Sequence, residues 1–171
     1  AAQARIAELE AGLREANKVA SHDPLTGVLN RRGLQEAYDR ETARAKRTGQ
    51  QFTVALLDLD DFKRVNDQYG HAVGDAALLH LTRMIAETLR PTDICCRLGG
   101  EEFVLLMPDS DLAAAKKALA RLQQALGKHA VAGSDIVLSF SAGLAKVEAD
   151  NTLEQQLELA DRAVYRAKAA G

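Results

Sequence analysis

Residues 94–107 read ICCRLGGEEFVLLM, two apolar runs separated by two glycines and two glutamates. The pattern predicts a β-hairpin, because paired glycines between strand-like segments can supply the positive φ angles of a tight turn. Glu101 and Glu102 would then lie at the tip, and they point to opposite faces if both belong to a strand. An acidic, solvated hairpin tip gives the same pattern, so the chemistry of this tip depends on its partners.

The hairpin lies in the middle of an alternating series of helices and strands. Residues 52–60 are apolar almost without interruption, which is typical of a central strand covered on both faces. The order helix, strand, helix, hairpin, helix, strand, helix predicts an α+β fold. We expect a ferredoxin-like β-α-β-β-α-β core with added elements. The expected helices are 30–48 with Asn30 as N-cap, 74–90, 111–126 and 152–169, and the last strand is 136–145.

Residues 1–22 are predicted to form a helical element outside the main domain at 23–171. Its apolar residues alternate at spacings of three and four, as in a coiled coil, over about two heptads: Ile6, Leu9, Leu13, Ala16 and Ala20. One interpretation is a surface helix that packs on its own domain. The other is a stalk or linker to an upstream module, and we expect both ends of the chain to continue in a longer protein.

The composition argues against several classes of protein. Twenty-two Lys and Arg residues against 24 Asp and Glu residues leave a formal charge of −2, and Trp is absent, so we expect no nucleic-acid partner. Cys95 and Cys96 are adjacent, which fits neither a disulfide framework nor a metal-ligand spacing and indicates a reducing compartment. No apolar run reaches the roughly 18 residues of a membrane span, and no signal-peptide pattern occurs.

Two carboxylates close the predicted central strand. Asp58 and Asp60 are two residues apart, so their side chains share a face if the strand extends that far. An aspartate at a strand end is, by itself, usually a turn residue or a helix cap. The neighbouring hairpin would bring Asp58 close to Glu101 or Glu102, and carboxylates gathered from separate strands suit Mg²⁺ or Mn²⁺. The combination predicts a divalent metal site.

Residues 61–74 read DFKRVNDQYGHAVG and are predicted to form a polar turn directly after the central strand, where ligands of open α/β sheets tend to bind. The backbone N–H groups of Phe62 and Lys63, with the ammonium of Lys63, could hold phosphates. Asn66 and Asp75 offer an amide and a carboxylate that can match the donor and acceptor edge of a guanine. For the lone histidine of this segment we expect a structural or substrate-facing role, and no metal.

Six ordered motifs give residues 23–171 a resemblance to the GGDEF domain of diguanylate cyclases. They are DPLTGVLNRR at 23–32, DLDDFKRVND at 58–67, GHAVGD at 70–75, GGEEF at 99–103, SAG at 141–143 and DRAVYRAK at 161–168. GGEEF is one form of the signature of that family. The resemblance implies an enzyme that joins two GTP molecules, one on each subunit of a facing homodimer, into cyclic di-GMP with release of pyrophosphate.

The resemblance also implies roles by position. Asp58, the carbonyl of Leu59 and Glu101 resemble the ligands of two Mg²⁺ or Mn²⁺ ions per active site. Glu101 is the first candidate for the base that takes the proton of the 3′-hydroxyl, and Glu102 is the second. The implied substrate contacts are Phe62, Lys63 and Lys168 for phosphates, Asn66 and Asp75 for guanine with His71 in the same loop, and Gly99 and Gly100 at the tip. The family usually places an arginine a few residues beyond Lys168, and this sequence ends before that position.

Arg90-Pro91-Thr92-Asp93 resembles the RxxD inhibitory site of the family, with five residues between Asp93 and Gly99. An arginine with a nearby aspartate can hold a phosphate and a guanine edge of bound cyclic di-GMP. Arg121, on the following predicted helix, stands where relatives have a secondary arginine. Without the resemblance, Arg90 and Asp93 would be interpreted as a cation at a helix C-terminus and a turn acid. With it, we expect feedback inhibition by the product.

Two hypotheses of function remain from the sequence. The first is an active, metal-dependent, dimer-dependent cyclase of the bacterial cytoplasm, whose residues 1–20 transmit a signal from an upstream sensor or receiver domain, membrane-bound or soluble. The second is a catalytically silent GGDEF module that binds cyclic di-GMP or GTP as a sensor. Such degenerate members typically lose the signature acids or glycines, whereas Asp58, Glu101 and Glu102 are all present here. The guanine-reading residues argue against a third possibility, a cyclase of a single nucleotide that is built on a related ferredoxin-like palm.

Overall fold

The structure is a computed structural model that describes the backbone of residues 1–170 and the side chains of residues 1–167. Its helices are α1 (Ala2–Ser21), α2 (Arg31–Thr48), α3 (Phe62–Tyr69), α4 (His71–Thr88), α5 (Leu112–Lys128) and α6 (Leu153–Ala170). Its strands are β1 (Phe52–Leu59), β2 (Ile94–Arg97), β3 (Glu102–Pro108) and β4 (Phe140–Lys146). Helices and strands therefore alternate as the sequence predicts, with the β2–β3 hairpin in the middle.

The four strands form one antiparallel sheet in the order β2-β3-β1-β4. β1 pairs with β3 on one side and with β4 on the other, so it is a central strand. Helices α3 and α4 connect β1 to β2, and α5 connects β3 to β4. This is the predicted β-α-β-β-α-β core, and the predicted fold class is confirmed.

Helices cover both faces of the sheet because β1 presents apolar side chains alternately to each side. Leu57 packs with Phe103 in the cluster that includes α4 and α5, and Leu56 packs with Leu34 in the cluster that includes α2 and α6. All four side chains are at most 4% exposed. Truncation of a side chain such as Leu57 to alanine would cost about 2–5 kcal/mol, so the end of β1 is held on a rigid base.

Helix α3 stands where the sequence predicts a polar turn. The many polar residues of α3 obscure its helical periodicity in the sequence. Phe62, however, is 7% exposed and anchors the helix to the core. Asp61 has a left-handed φ of 57° at one end, and Gly70 has a φ of 90° at the other. The break at Gly70 starts α4 at His71, earlier than the predicted start at residue 74. The region after β1 is therefore two helices joined at a glycine.

Strand β4 begins at Phe140 and not at Ile136 as the sequence predicts. Residues 136–138 are apolar and look like the start of a strand, but β1 ends at Leu59, whose register partner is Phe140. Beyond that pair β1 turns into α3, so residues 136–139 have no neighbouring strand with which to form a ladder. A strand boundary set by its partner cannot be read from the strand's own sequence.

Helix α1 extends from the domain without burying any of its residues. Ile6, Leu9 and Leu13 are 55%, 58% and 62% exposed, so these three apolar side chains do not pack against the rest of the domain. The end of α1 is fixed by Asn30, which accepts a hydrogen bond from the N–H of Gly33 at 3.0 Å and donates to a carbonyl at the end of α1 at 3.0 Å. No helix in the described part of the chain has the length and hydropathy to cross a membrane.

Candidate active site

The end of β1 meets the tip of the β2–β3 hairpin. The N–H of Leu59 donates to the carbonyl of Glu101 at 3.2 Å, and the register places Asp58 directly opposite Glu102. In an antiparallel ladder, the residues next to a hydrogen-bonded pair form a non-hydrogen-bonded pair, whose Cα atoms are about 4.5 Å apart and whose side chains approach most closely. Asp58 and Leu59 therefore adjoin both glutamates, which is the proximity that the sequence predicts.

This corner, formed by Asp58, Leu59, Glu101 and Glu102, has the charge of a cation site. Like charges directly opposite in a ladder are destabilising, and a divalent cation would remove the repulsion between Asp58 and Glu102. The Oδ1 atom of Asp58 is buried, whereas Glu102 is exposed. Among the described residues, no three His, Cys, Asp or Glu side chains come close enough together to hold a metal ion. The carboxylate and carbonyl oxygens of the corner are hard donors, which suit a cation such as Mg²⁺ that keeps water and substrate phosphates as its other ligands.

The two glycines of the tip differ from the sequence prediction in their backbone. Neither Gly99 nor Gly100 has a positive φ. The connection is longer than the two-residue turn that requires such angles, because the N–H of Leu98 donates to the carbonyl of Glu102 at 2.8 Å. A Cβ built on Gly100 meets no atom within 4 Å. The glycines are thus not needed for the turn, and they leave the space beside the glutamates open to a ligand.

The N-terminus of α3 begins three residues beyond Leu59. It has no side-chain cap and no acidic residue in its first turn. Phe62 is buried, whereas Lys63 is exposed. The unpaired N–H groups at a helix start favour an anion, so the predicted phosphate contacts at Phe62 and Lys63 stand at a suitable place. Lys168 lies in α6, and its side chain falls outside the described residues.

The residues predicted to read guanine border the junction of α3 and α4. A Cβ at Gly74 would overlap with Oδ1 of Asn66, so the asparagine side chain lies against the first turns of α4. His71 and Asp75 are four residues apart on α4 and both are exposed. Residues at that spacing share a helix face. The junction therefore presents an amide, an imidazole and a carboxylate together.

Arg97 holds the hairpin tip, a role that the sequence pattern did not reveal. Its guanidinium donates to the carbonyls of Gly99 at 3.2 Å and Gly100 at 3.0 Å, and to both carboxylate oxygens of Asp23 at 3.4 Å. Burial raises the pKa of Asp23, but hydrogen bonds from Thr26 and the charge of Arg97 outweigh burial and lower that pKa below its ordinary value. Arg97 therefore ties the tip to the loop that follows α1.

Asp60 lies just beyond the end of β1 and is bound to the chain around the start of β4. Its Oδ2 accepts a hydrogen bond from the hydroxyl of Ser139 at 2.8 Å, and its Oδ1 accepts one from Ser141 at 2.8 Å. Ser141 is the register partner of Asp58 on β4, so this network adjoins the acidic corner. The serine of the SAG motif, which carried no predicted role, thus contacts the turn after β1.

Arg90 and Asp93 close the turn between α4 and β2. The Arg90 guanidinium donates to Asp93 Oδ1 at 3.1 Å, to the carbonyl of Pro108 at 2.7 Å and to the hydroxyl of Ser110 at 2.7 Å. The Asp93 side chain is 3% exposed, against 46% for Arg90, and Arg121 is exposed on α5. The geometry is that of a structural arginine and turn acid, so a ligand at this place must compete with Pro108 and Ser110 for the guanidinium.

Known proteins resemble the chain over nearly all of its length. The family model described as "Diguanylate cyclase, GGDEF domain" matches residues 20–171. Diguanylate cyclase DgcP of Pseudomonas aeruginosa is 40% identical over 161 residues, which are 93% of this chain and 24% of DgcP. Response regulator PleD of Caulobacter vibrioides is 35% identical over 169 residues, which are 95% of this chain and 37% of PleD. The chain thus spans about a quarter to a third of the length of these relatives.

Two solved structures extend the likeness to the fold. Diguanylate cyclase SiaD of Pseudomonas aeruginosa, solved with its activator SiaC, has a TM-score of 0.84 and 38% identity, with 99% of this chain and 66% of that chain covered. The coiled coil and GGDEF domain of DgcB from Caulobacter crescentus, solved with c-di-GMP, has a TM-score of 0.89 and 25% identity, with 99% of this chain and 92% of that chain covered. From its sheet, its signature hairpin and the family match, the chain belongs to the GGDEF family of diguanylate cyclase domains.

Proposed function

We propose that this chain is the catalytic domain of a diguanylate cyclase, which condenses two GTP molecules into cyclic di-GMP with release of pyrophosphate. The observation that carries the proposal is the acidic corner, where the Leu59–Glu101 hydrogen bond and the Asp58–Glu102 pairing gather four groups at the end of β1. The name of the relative DgcP, a diguanylate cyclase, supports the same activity.

The acidic corner would bind two Mg²⁺ or Mn²⁺ ions through Asp58, the carbonyl of Leu59 and Glu101. Bound divalent ions neutralise triphosphate charge and favour ionisation of the attacking 3′-hydroxyl. These three groups are hard oxygen donors, as both metals prefer. Because the protein supplies few ligands, we expect the metal and the nucleotide to bind together.

The residues around α3 would bind and orient the nucleotide. Phosphates would lie against the N–H groups of Phe62 and Lys63 and the ammonium of Lys63, since the helix start is uncapped and the lysine is exposed. Guanine would lie at the junction of α3 and α4 against Asn66 and Asp75, with His71 on the same helix face. Lys168 is a further proposed phosphate contact from α6. These contacts would place the 3′-hydroxyl for attack and so lower the entropy lost in the reaction.

Glu101 is the first candidate for the base that accepts the proton of the 3′-hydroxyl, and Glu102 is the second. The backbone of Glu101 is fixed to Leu59 and its side chain is half-buried, whereas Glu102 is exposed. A catalytic base must reach its proton in a defined geometry, which favours the residue with the more restricted position. Gly99 and Gly100 would keep the approach to this base open.

The reaction requires two nucleotides, and we propose that two copies of the chain face each other with one GTP on each. The exposed stripe of Ile6, Leu9 and Leu13 supports association through α1, because a partner helix would remove it from water. DgcB was solved with a coiled coil before its GGDEF domain. Helix α1 would carry the signal of an upstream sensor or receiver domain, in keeping with relatives that are a response regulator or bind an activator.

We further propose that the product inhibits the enzyme by binding Arg90 and Asp93, with Arg121 of α5 completing the site. The Arg90 side chain is 46% exposed, so part of it is accessible. The structure of DgcB with c-di-GMP supports a product complex in the family. Binding would require the Arg90 guanidinium to exchange its bonds to Pro108 and Ser110 for bonds to the ligand.

Product formation is the direct test of the cyclase. The protein is incubated with GTP and Mg²⁺, and the nucleotides are separated by chromatography. The wild type should form cyclic di-GMP, and Glu101→Gln should lower the rate by about 10²-fold or more, because the amide can neither accept the proton nor hold the metal as well. Glu87→Gln, an exposed change on α4, is the control and should keep the wild-type rate. Binding of GTP or cyclic di-GMP without any product would instead identify a silent sensor module.

A further inference from the structure

Asp60 makes three hydrogen bonds that cross from the end of β1 to the chain at the start of β4. Its two carboxylate oxygens accept from the hydroxyls of Ser139 and Ser141, each at 2.8 Å. Its own N–H donates to the carbonyl of Ser139 at 3.0 Å. Hydrogen bonds to a charged acceptor are stronger than those between neutral groups. The position of the Asp60 side chain is therefore fixed by hydrogen bonds to two serines.

The turn that Asp60 fixes carries several groups of the proposed site. Leu59 precedes it with the carbonyl proposed as a metal ligand, and Phe62 follows it as the first residue of α3. Between them Asp61 has a φ of 57°, a conformation that costs a non-glycine residue about 1 kcal/mol or more and persists only where the surroundings impose it. The Leu59–Glu101 hydrogen bond holds the turn on the β3 side. The Asp60 network holds it on the β4 side.

We propose that Asp60 is a positioning residue for nucleotide binding, acting through Ser139 and Ser141. By locking the turn, it presets the direction of the Leu59 carbonyl and of the N–H groups that start α3. This inference rests on the proposed function, because it assumes that the turn binds a nucleotide with its metal. Groups that are already in place lose less conformational entropy on binding, so the network raises affinity without touching the ligand.

A direct role of Asp60 as a metal ligand is the competing explanation, and the two roles respond differently to substitution. Asp60→Asn removes the charge but keeps an oxygen that accepts from one serine and gains an amide that donates to the other hydroxyl oxygen. Asp60→Ala removes every side-chain hydrogen bond. The double variant Ser139→Ala/Ser141→Ala keeps the carboxylate but removes both of its partners. A positioning role needs the hydrogen bonds, whereas a ligand role needs the charge.

The experiment measures the dissociation constant of a non-hydrolysable GTP analogue in the presence of Mg²⁺ by calorimetry, with the full chain. The wild type should bind. Asp60→Ala and the double serine variant should each raise the dissociation constant about tenfold, the equivalent of one lost hydrogen bond to a charged group. Asp60→Asn should stay within about threefold of the wild type, because it restores the bonds. Thermal midpoints recorded on the same samples separate weaker binding from unfolding.

Gln123→Ala is the matched control, because it loosens β4 without removing the Asp60 hydrogen bonds. Gln123 of α5 donates to the carbonyl of Phe140 at 2.8 Å and accepts from the N–H of Phe140 at 3.3 Å, and Phe140 lies between the two serines. Its loss should lower the thermal midpoint but leave the dissociation constant unchanged, since the Asp60 network is intact. If Gln123→Ala weakens binding as much as the serine variant, the specific role of Asp60 is contradicted.

Two further outcomes would overturn the inference. One is wild-type affinity in both Asp60→Ala and the double serine variant. The other is an Asp60→Asn protein that binds as poorly as Asp60→Ala while the serine variant binds normally, because the charge would then matter and not the network. A wild type that binds the analogue but forms no cyclic di-GMP contradicts the proposed function alone, and a wild type that does not bind the analogue contradicts both.

Discussion

Gly100 leaves open the space that a side chain would occupy at the hairpin tip. It has no positive φ, and a Cβ at this position would touch no other atom, so neither the backbone nor the packing requires glycine. The open space adjoins the acidic corner, where the proposed triphosphate would approach. A requirement for glycine at this position would therefore come from the ligand, because the fold itself tolerates a methyl group there.

Gly100→Ala should therefore separate stability from activity. We expect the free energy of unfolding to change by no more than about 0.5 kcal/mol, as for other surface changes without new contacts. Cyclic di-GMP formation should fall about tenfold or more, because the methyl group occupies space needed by the substrate. Gly127→Ala, another open position at the end of α5, is the control and should keep full activity. Full activity of Gly100→Ala would show that substrate does not use this space.

Asp23 predicts a pH dependence of stability through its bridge to Arg97. The folded state holds the pKa of Asp23 below its ordinary value, so the charged form is favoured by folding. The stabilisation is then fully present above the unfolded pKa of about 4 and is lost as the pH falls through the folded pKa. Asparagine resembles the protonated acid, so Asp23→Asn should lower the thermal midpoint at pH 7 and converge with the wild type in acid. A constant difference from pH 7 to pH 3 would contradict this account of the bridge.

At the scale of elements, the sequence predicts best the helices and strands that contact the same kind of neighbour along their whole length. β1 is apolar apart from Thr53 and Asp58 because both of its faces are buried, and the hairpin is marked by glycines between two apolar runs. The sequence predicts less well what depends on a partner elsewhere in the chain. The start of β4 is set by the end of β1, and α3 is anchored by one buried residue, Phe62, amid polar neighbours.

The turn between α4 and β2 gives the prediction for regulation. Arg90→Ala should raise the concentration of cyclic di-GMP needed for half-inhibition about tenfold or more, because the proposed site loses its phosphate-binding guanidinium. The initial rate without product should remain, although some stability is lost with the bonds to Pro108 and Ser110. Arg83→Ala removes another exposed arginine near the end of α4 and should leave inhibition unchanged. Unaltered sensitivity of Arg90→Ala to added product would exclude this site.

At the scale of the whole molecule, the candidate site depends on contacts between distant parts of the sequence. Asp58 and the signature glutamates could be brought together from the sequence because neighbouring strands were predicted correctly. The contacts of Arg97 with Asp23 and of Asp60 with Ser141 span 74 and 81 residues. No local pattern encodes such pairs, since each needs the completed sheet to bring its partners within hydrogen-bonding distance.

The molecule also leaves a surface that its own domain does not cover. The apolar stripe of α1 is exposed, and the acidic corner of one chain would supply one nucleotide and one base. If each chain binds one nucleotide in this way, a product with two guanosine units would need two such corners facing each other. We therefore predict that cyclic di-GMP forms only in a dimer in which both copies carry an intact Glu101.

Mixing wild-type and Glu101→Gln chains shows whether both copies need an intact Glu101. The total protein concentration is held constant and high enough for association, which sedimentation of each protein confirms separately. With equal amounts of both chains, the rate of cyclic di-GMP formation should fall to about a quarter of the all-wild-type rate, because random pairing makes one dimer in four fully wild type. A rate of about one half would mean that each chain works independently of its partner, and it would contradict the requirement for two intact acidic corners.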